Sequence, residues 1–162
     1  MKKNIILSFL GSVLLFASSC ASSNQVSYNY EIYCQGVGSQ GSNLLKVYSY
    51  AGNMDKAALQ AKHYAVHGVL FKGFAGGNGC NTQPPMVTPE ERNTHKAFFD
   101  NFFKGDYERF VYLSNDGSVS PKDRVKVGGQ YKVGVIVSVN KNELRKYLES
   151  EGVIKKLGNI FN

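Results

Sequence analysis

The chain has no hydrophobic run long enough to cross a membrane. Its longest uncharged apolar stretch, Ile5 to Ala17, is about a dozen residues, against the roughly 20 that a transmembrane helix needs. Low-complexity tracts and internal repeats are missing as well, which excludes linker-like and solenoid architectures. Carboxylates are scarce, with 12 Asp and Glu against 19 Lys and Arg. Glu31, Asp55, Glu90, Glu91, Asp100, Asp106 and Glu108 are scattered, and no spacing pairs them for acid–base work. There is no Ser-His-Asp order, no G-x-S-x-G elbow and no Walker loop. The absences point away from an enzyme and call for no cofactor.

What is present begins at the N-terminus. Two lysines, Lys2 and Lys3, precede the apolar stretch, and Ser18, Ser19, Ala21, Ser22 and Ser23 follow it. A basic start, a short apolar segment and small residues describe a secretory signal peptide over residues 1–19. The stretch Leu15 to Cys20 resembles a bacterial lipobox, in which the cysteine is lipidated and becomes the mature N-terminus. Ala17 stands where Leu is commonest, and ordinary cleavage after Ala21 is the competing reading. Lipidation of Cys20 would leave residues 20–25 as a short tether. By the same resemblance, Ala21 in place of Asp directs the chain to the outer membrane, facing the periplasm. Loss of Lys2 and Lys3 takes the formal charge from +7 to about +5, an excess that fits an anionic membrane or cell-wall neighbour. Nucleic acid does not belong in that compartment.

Residues 26–162 suit one domain. Val26, Tyr28, Tyr30, Ile32 and Cys34 alternate with polar residues as a half-buried strand does, and Leu44 to Tyr50 reads as a second strand. Asn53 can cap a helix from Met54 to Phe71, with Ala58, Ala61, Ala65 and Val69 inward and Leu59, Tyr64 and Leu70 beside them. A glycine-rich loop, Gly73 to Val87, carries Pro84-Pro85. Thr88-Pro89-Glu90-Glu91 opens a second helix with a capping-box pattern and Pro at its first position. That helix is expected to carry Phe98, Phe99, Phe102 and Phe103 as far as Gly105. Tyr107 to Leu113 reads as a strand, Asn115-Asp116-Gly117 as a turn, and Val125 to Val139 as one long strand. Asn140 and Glu143 cap a last helix that Gly152 closes. The expected order, ββα-loop-αββα, describes an α+β domain: a mostly antiparallel sheet of about four strands with helices packed on it.

Gly36, Gly38 and Gly41 have the spacing G-x-G-x-x-G. A dinucleotide site needs a helix after the third glycine, whose N-terminal amides receive the pyrophosphate. A second strand follows instead, so the glycines are a hairpin turn. His63 and His67, four apart on the first helix, share a face and could hold zinc, with His95 or Cys80 as a third ligand of no recommending spacing. Tyr64 stands where a zincin helix has its Glu. The plainer reading is that one histidine packs partly buried and the other is solvated. Cys34 and Cys80 are the cysteines left once Cys20 is taken by lipid. In an oxidising compartment such a pair invites a disulfide, closing about 47 residues and adding ~4 kcal/mol by chain entropy; the other reading of Cys34 is a small buried strand residue. Phe99, Phe102 and Phe103 can fill the core, leaving Phe98 partly exposed for a partner. Lys122, Arg124, Lys126, Lys132, Arg145, Lys146, Lys155 and Lys156 form either a basic surface or a solvated one.

The segments KAALQAKHYAVHGVLFKGF and GGQYKVGVIVSVNKNELRKYLESEGVIKKL resemble a family of exported Gram-negative lipoproteins of unknown function. More distantly they are similar to the N-terminal domain of flagellar assembly protein T and its small outer-membrane lipoprotein relatives. The resemblance implies a sheet-and-helix binding module without catalytic residues. The Phe-rich helix and the glycine-rich loop around Cys80 depart from the distant pattern. The sequence therefore leads to a lipid-anchored domain that binds or scaffolds an envelope protein assembly, with Pro84, Pro85 and Phe98 at the contact surface. The alternative is a metal- or ligand-binding periplasmic protein using His63, His67 and Cys80.

Overall fold

A computed structural model describes residues 28–114, 118–156 and 158. The leader 1–19, Cys20 and the tether 20–25, Val26 and the Asn115-Asp116-Gly117 turn lie outside the described residues. Among the described residues the buried core runs from Tyr30 to Ile154 and forms one cluster, all of it retained in a chain beginning at Ala21.

Five strands form the sheet: β1 (Tyr30–Val37), β2 (Asn43–Ala51), β3 (Val111–Leu113), β4 (Arg124–Val127) and β5 (Gln130–Val139). Every pairing is antiparallel, in the order β1-β2-β5-β3, and β4 also pairs with β5. β2 runs along one edge of β5 from Ala51↔Tyr131 to Asn43↔Val139. β3 and β4 share its other edge, at opposite ends. Tyr30, Ile32 and Cys34 of β1, Leu45 and Val47 of β2, and Val133 to Val139 of β5 point their alternate side chains into the core. The glycine segment is the β1–β2 turn, as expected: a bulge between Cys34 and Gly36, then a 3-10 turn at Ser39–Gly41.

Helix α1 (Met54–His67) lies on the inner face. Asn53 caps it by accepting from the Lys56 amide at 2.8 Å. Ala57, Ala61 and Ala65 are fully buried, and these short side chains let the helix approach the sheet closely. Leu59, expected beside that face, is 69% exposed, because the buried stripe runs through Ala57 and Tyr64. The expected helix to Phe71 turns into a π-helical segment at Gly68–Lys72, closed by Gly73 N–H donating to Gly68 O at 2.8 Å. The carbonyls of Val69 and Leu70 accept instead from the Met86 and Val87 amides, so the end of the loop is stitched to the wider turn.

Three expectations need correction. The helix opened by Thr88 is two helices, α2 (Pro89–Thr94) and α3 (Lys96–Phe102), kinked at His95, which has φ −104° and ψ 29°. The strand expected over Tyr107 to Leu113 is a 3-10 turn, Asp106–Phe110, followed by the three-residue β3. The strand expected over Val125 to Val139 is a hairpin of β4 and β5, reversed at Gly128-Gly129 with Gly128 at φ +59°. α4 (Lys141–Ser150) is capped by Asn140, which accepts from the Glu143 amide, and it buries Leu144 and Leu148. Among the described residues, no helix is long and apolar enough to cross a membrane. The α+β class and the antiparallel sheet stand, with five strands rather than about four.

Candidate binding site

Cys34 and Cys80 are joined by a disulfide, with Cα atoms 6.3 Å apart. β1 is an edge strand, and an edge strand leaves backbone groups unpaired. Here the loop covers it. Asn78 Nδ2 donates to Cys34 O at 2.9 Å, Lys72 Nζ donates to Tyr30 O at 3.2 Å, and the disulfide pins the loop to Cys34 again at Cys80. Within the loop, Phe74 and Gln83 exchange both backbone hydrogen bonds, at 2.9 and 3.0 Å. Pro84 and Pro85 are thereby held exposed, on a hollow they share with Glu31, Ile32 and Tyr33.

No α-helix among the described residues covers the sheet's outer face, although the 3-10 turn Pro121–Asp123 rests on it. Tyr33, Lys46, Tyr48 and Tyr50 project there from β1 and β2, Lys132 from β5, and Tyr112 and Val125 from β3 and β4. Tyr33 is 50% exposed, Tyr112 58% and Val125 48%. Two carboxylates fix the polar groups. Glu31 accepts from Tyr50 Oη at 2.6 Å, Lys132 Nζ at 2.7 Å and Tyr33 Oη at 3.1 Å. Asp123 accepts from Tyr48 Oη at 2.7 Å and from Lys46 Nζ at 2.8 Å. The lysines, with help from the tyrosines, hold both carboxyls below their ordinary range, and the carboxylates hold Lys46 and Lys132 above theirs. The charges expected to make a basic surface are partly spent inside the molecule: Lys132 on Glu31, Arg145 on Glu149 and Lys146 on Glu143.

A deeper cleft, ≈ 660 Å³, opens on the other side, between α1, the π turn and α2–α3. Rings line it: Tyr28, His63, Phe71, Phe99 and Phe103. Phe71 meets Phe99 edge-on at 4.9 Å, and His63 lies 4.6 Å from Phe103. Tyr28 is not part of β1 as expected; it stacks on His67 at 3.7 Å. Pro85 and Val87 bring the loop to the same cleft, and Arg92, Lys96, Asp100 and Lys104 bring charge.

His67 is buried, and its Nδ1 is 2.8 Å from Tyr30 Oη. Its Nε2 has no hydrogen-bond partner among the described residues. Burial, with Arg92 nearby, pushes its pKa down to about 3, and burial also lowers that of His63. Both rings are therefore neutral at ordinary pH. Among the described residues, no group of three or more His, Cys, Asp or Glu is placed to hold a metal ion. Cys80 is taken by its disulfide, and His95 sits at the kink between α2 and α3. Two imidazoles alone do not make the four-ligand site zinc prefers. Phe98 is half-buried against Phe102 and Tyr147, apart from Pro84 and Pro85. The cleft's aromatic lining and Arg92 had no signal in the sequence, because the residues come from separate elements. No protein-family model, curated protein or solved structure matches this chain.

Proposed function

We propose that this chain is an exported lipoprotein, anchored through Cys20 to the outer membrane on its periplasmic side. Its domain binds an envelope protein partner and performs no catalysis. The observation that carries this reading is the open outer face of the sheet, with Tyr33, Tyr112 and Val125 about half exposed. Large amphipathic rings on a rigid support are what protein interfaces favour. The charges within the face are neutralised by internal pairs, so docking there strips water from few unpaired ions. The pinned loop extends the surface to Pro84 and Pro85, and its rigidity lowers the ordering cost of binding. Phe98, half-buried against Phe102 and Tyr147, is a further candidate contact.

The test is photo-crosslinking in living cells. A photoreactive residue replaces Tyr112, Pro84 or, as a control on α4, Lys146. One envelope protein attached through positions 112 and 84 but not 146 is the expected result. A folded, anchored chain that yields no adduct from either outer-face position overturns the reading.

A further inference from the structure

We propose that the cleft between α1 and α2–α3 is a binding site for a small, flat organic anion: an aromatic or polycyclic carboxylate. Pro85 borders both this cleft and the partner surface, but the proposal does not depend on that surface.

Size comes first. At ≈ 660 Å³, the cleft falls within the roughly 300–1,000 Å³ range of small-molecule sites, and its ring-rich wall with a few polar groups is typical of them. The shape of the lining sets the ligand's body. Phe71, Phe99 and Phe103 present faces and edges at mutual angles of 45–78°, and Tyr28 lies stacked on His67, 36% exposed. Aromatic groups pack best as offset stacks or edge to face, so this wall favours a rigid ring system over a flexible chain.

Charge sets the ligand's polar end. Three cations border the cleft, Arg92, Lys96 and Lys104, against one carboxylate, Asp100. Lys96 is paired with Asp100, and Lys104 donates to Asn101. The Arg92 side chain has neither a hydrogen bond nor a carboxylate partner among the described residues. Its guanidinium carbon lies 4.3 Å above the Phe71 ring. Stacking there orients the planar fork while leaving its N–H edge free, the geometry that takes a carboxylate through two parallel hydrogen bonds. His63 supplies wall, not charge, because burial lowers its pKa, and His67, behind Tyr28, is neutral as well. The ring of an aromatic acid would thus lie against Phe71 and Phe103 while its carboxylate meets Arg92.

The probe is 8-anilinonaphthalene-1-sulfonate, a fluorescent flat anion, titrated into the chain beginning at Ala21. The neutral N-phenyl-1-naphthylamine serves as its uncharged counterpart. Displacement is then measured with 2-naphthoate and with octanoate. The expected result is one saturable site, emptied by 2-naphthoate well before octanoate. Arg92→Gln, at an exposed position, should keep the native melting temperature and weaken the anionic probe by roughly tenfold. The neutral probe should change less than about twofold. No saturable binding by the folded chain overturns the proposal, as does an Arg92→Gln chain that binds both probes unchanged. Displacement by octanoate as effective as by naphthoate overturns the claim of a flat ligand. None of these outcomes bears on crosslinking through positions 84 and 112.

Discussion

Glu31 and Asp123 show how single side chains hold this sheet in register. Each carboxylate ties a lysine and at least one tyrosine across the outer face, and Asp123 brings the Pro121–Asp123 turn down onto β2. Gly134 is part of the same arrangement. The Tyr48 ring crosses it so closely that a Cβ there would stand 2.5 Å from a ring carbon. Only glycine lets that ring lie flat on β5 and reach Asp123. Asp123 is buried, so removing its charge leaves Lys46 without its counter-ion and Tyr48 with a neutral acceptor in place of a charged one. Asp123→Asn should therefore cost about 2 kcal/mol in urea unfolding, the usual range for hydrogen bonds to a charged group; a loss below about 0.5 kcal/mol would rule the linkage out. The pH dependence has a definite sign. Both carboxyls are lowered in the folded state, so their contribution is full above the ordinary carboxylate pKa and is lost as pH falls through the lowered values. Lys46 and Lys132 are raised, so their contribution is full below the ordinary lysine pKa and is lost as pH rises through the raised values. The melting temperature should be flat across neutral pH and fall at the acid end, less steeply in Glu31→Gln.

Among the elements, the loop from Gly73 to Val87 depends most on a covalent tie. Beyond its own internal pairing it is tied to β1 through Asn78, to the π turn through Met86 and Val87, to Lys141 at the start of α4 through Gln83, and to Cys34 through the disulfide. A cross-link 46 residues apart stabilises by up to ~4 kcal/mol in the chain-entropy account. Cys34→Ser with Cys80→Ser should lower unfolding stability by roughly 2–4 kcal/mol. Amide exchange should quicken at Phe74 and Gln83 before it does in β2 or β5; a uniform rise would mean the loop has no separate dependence on the bond. Elements with chemical punctuation were legible in the sequence. Thr88 and Glu91 make the capping box their spacing announced, Asn53 and Asn140 cap where expected, and Gly152 closes α4 at φ +70°. The β4–β5 reversal was hidden because alternation passes unbroken through Gly128-Gly129: Val125 and Val127 keep the odd-numbered pattern of Val133 to Val139. A two-residue turn nevertheless sends them to the outer face, where they are 48% and 49% exposed. The kink at His95 has neither Pro nor Gly to mark it, and the bonds His95 N–H to Glu91 O and Phe99 N–H to His95 O continue across it. The cleft was illegible for another reason. Its walls come from Tyr28, His63, Phe71, Arg92 and Phe103, and no period in the sequence links such positions.

At the scale of the whole molecule, the fold is one-sided, and its two faces have different uses for their aromatic residues. α1 and α2–α3 close the inner face and leave the ring-lined cleft at its margin, where Tyr28 lies. The outer face keeps its tyrosines in water. Tyr28 is also where the described domain meets the N-terminal segment, eight residues after Cys20. At no more than about 3.5 Å per residue, that connection spans at most roughly 28 Å. A lipid on Cys20 would thus keep the cleft margin within a short distance of the membrane. A multiply acylated cysteine gains about 0.8 kcal/mol for each buried methylene, far more than a single chain provides, so the attachment would be stable. Such an anchor makes a specific prediction. The N-terminal peptide of the mature protein should begin at Cys20 and carry the mass of a diacylglyceryl group with a further acyl chain. Cys20→Ala should move the folded domain from the membrane fraction to the soluble fraction while leaving its melting temperature unchanged, because among the described residues the core begins at Tyr30. A mature chain that begins at Ser22 without lipid would instead establish ordinary cleavage after Ala21. The cleft and the outer face would then act on a freely diffusing protein, and the proposed anchoring at the outer membrane would fall.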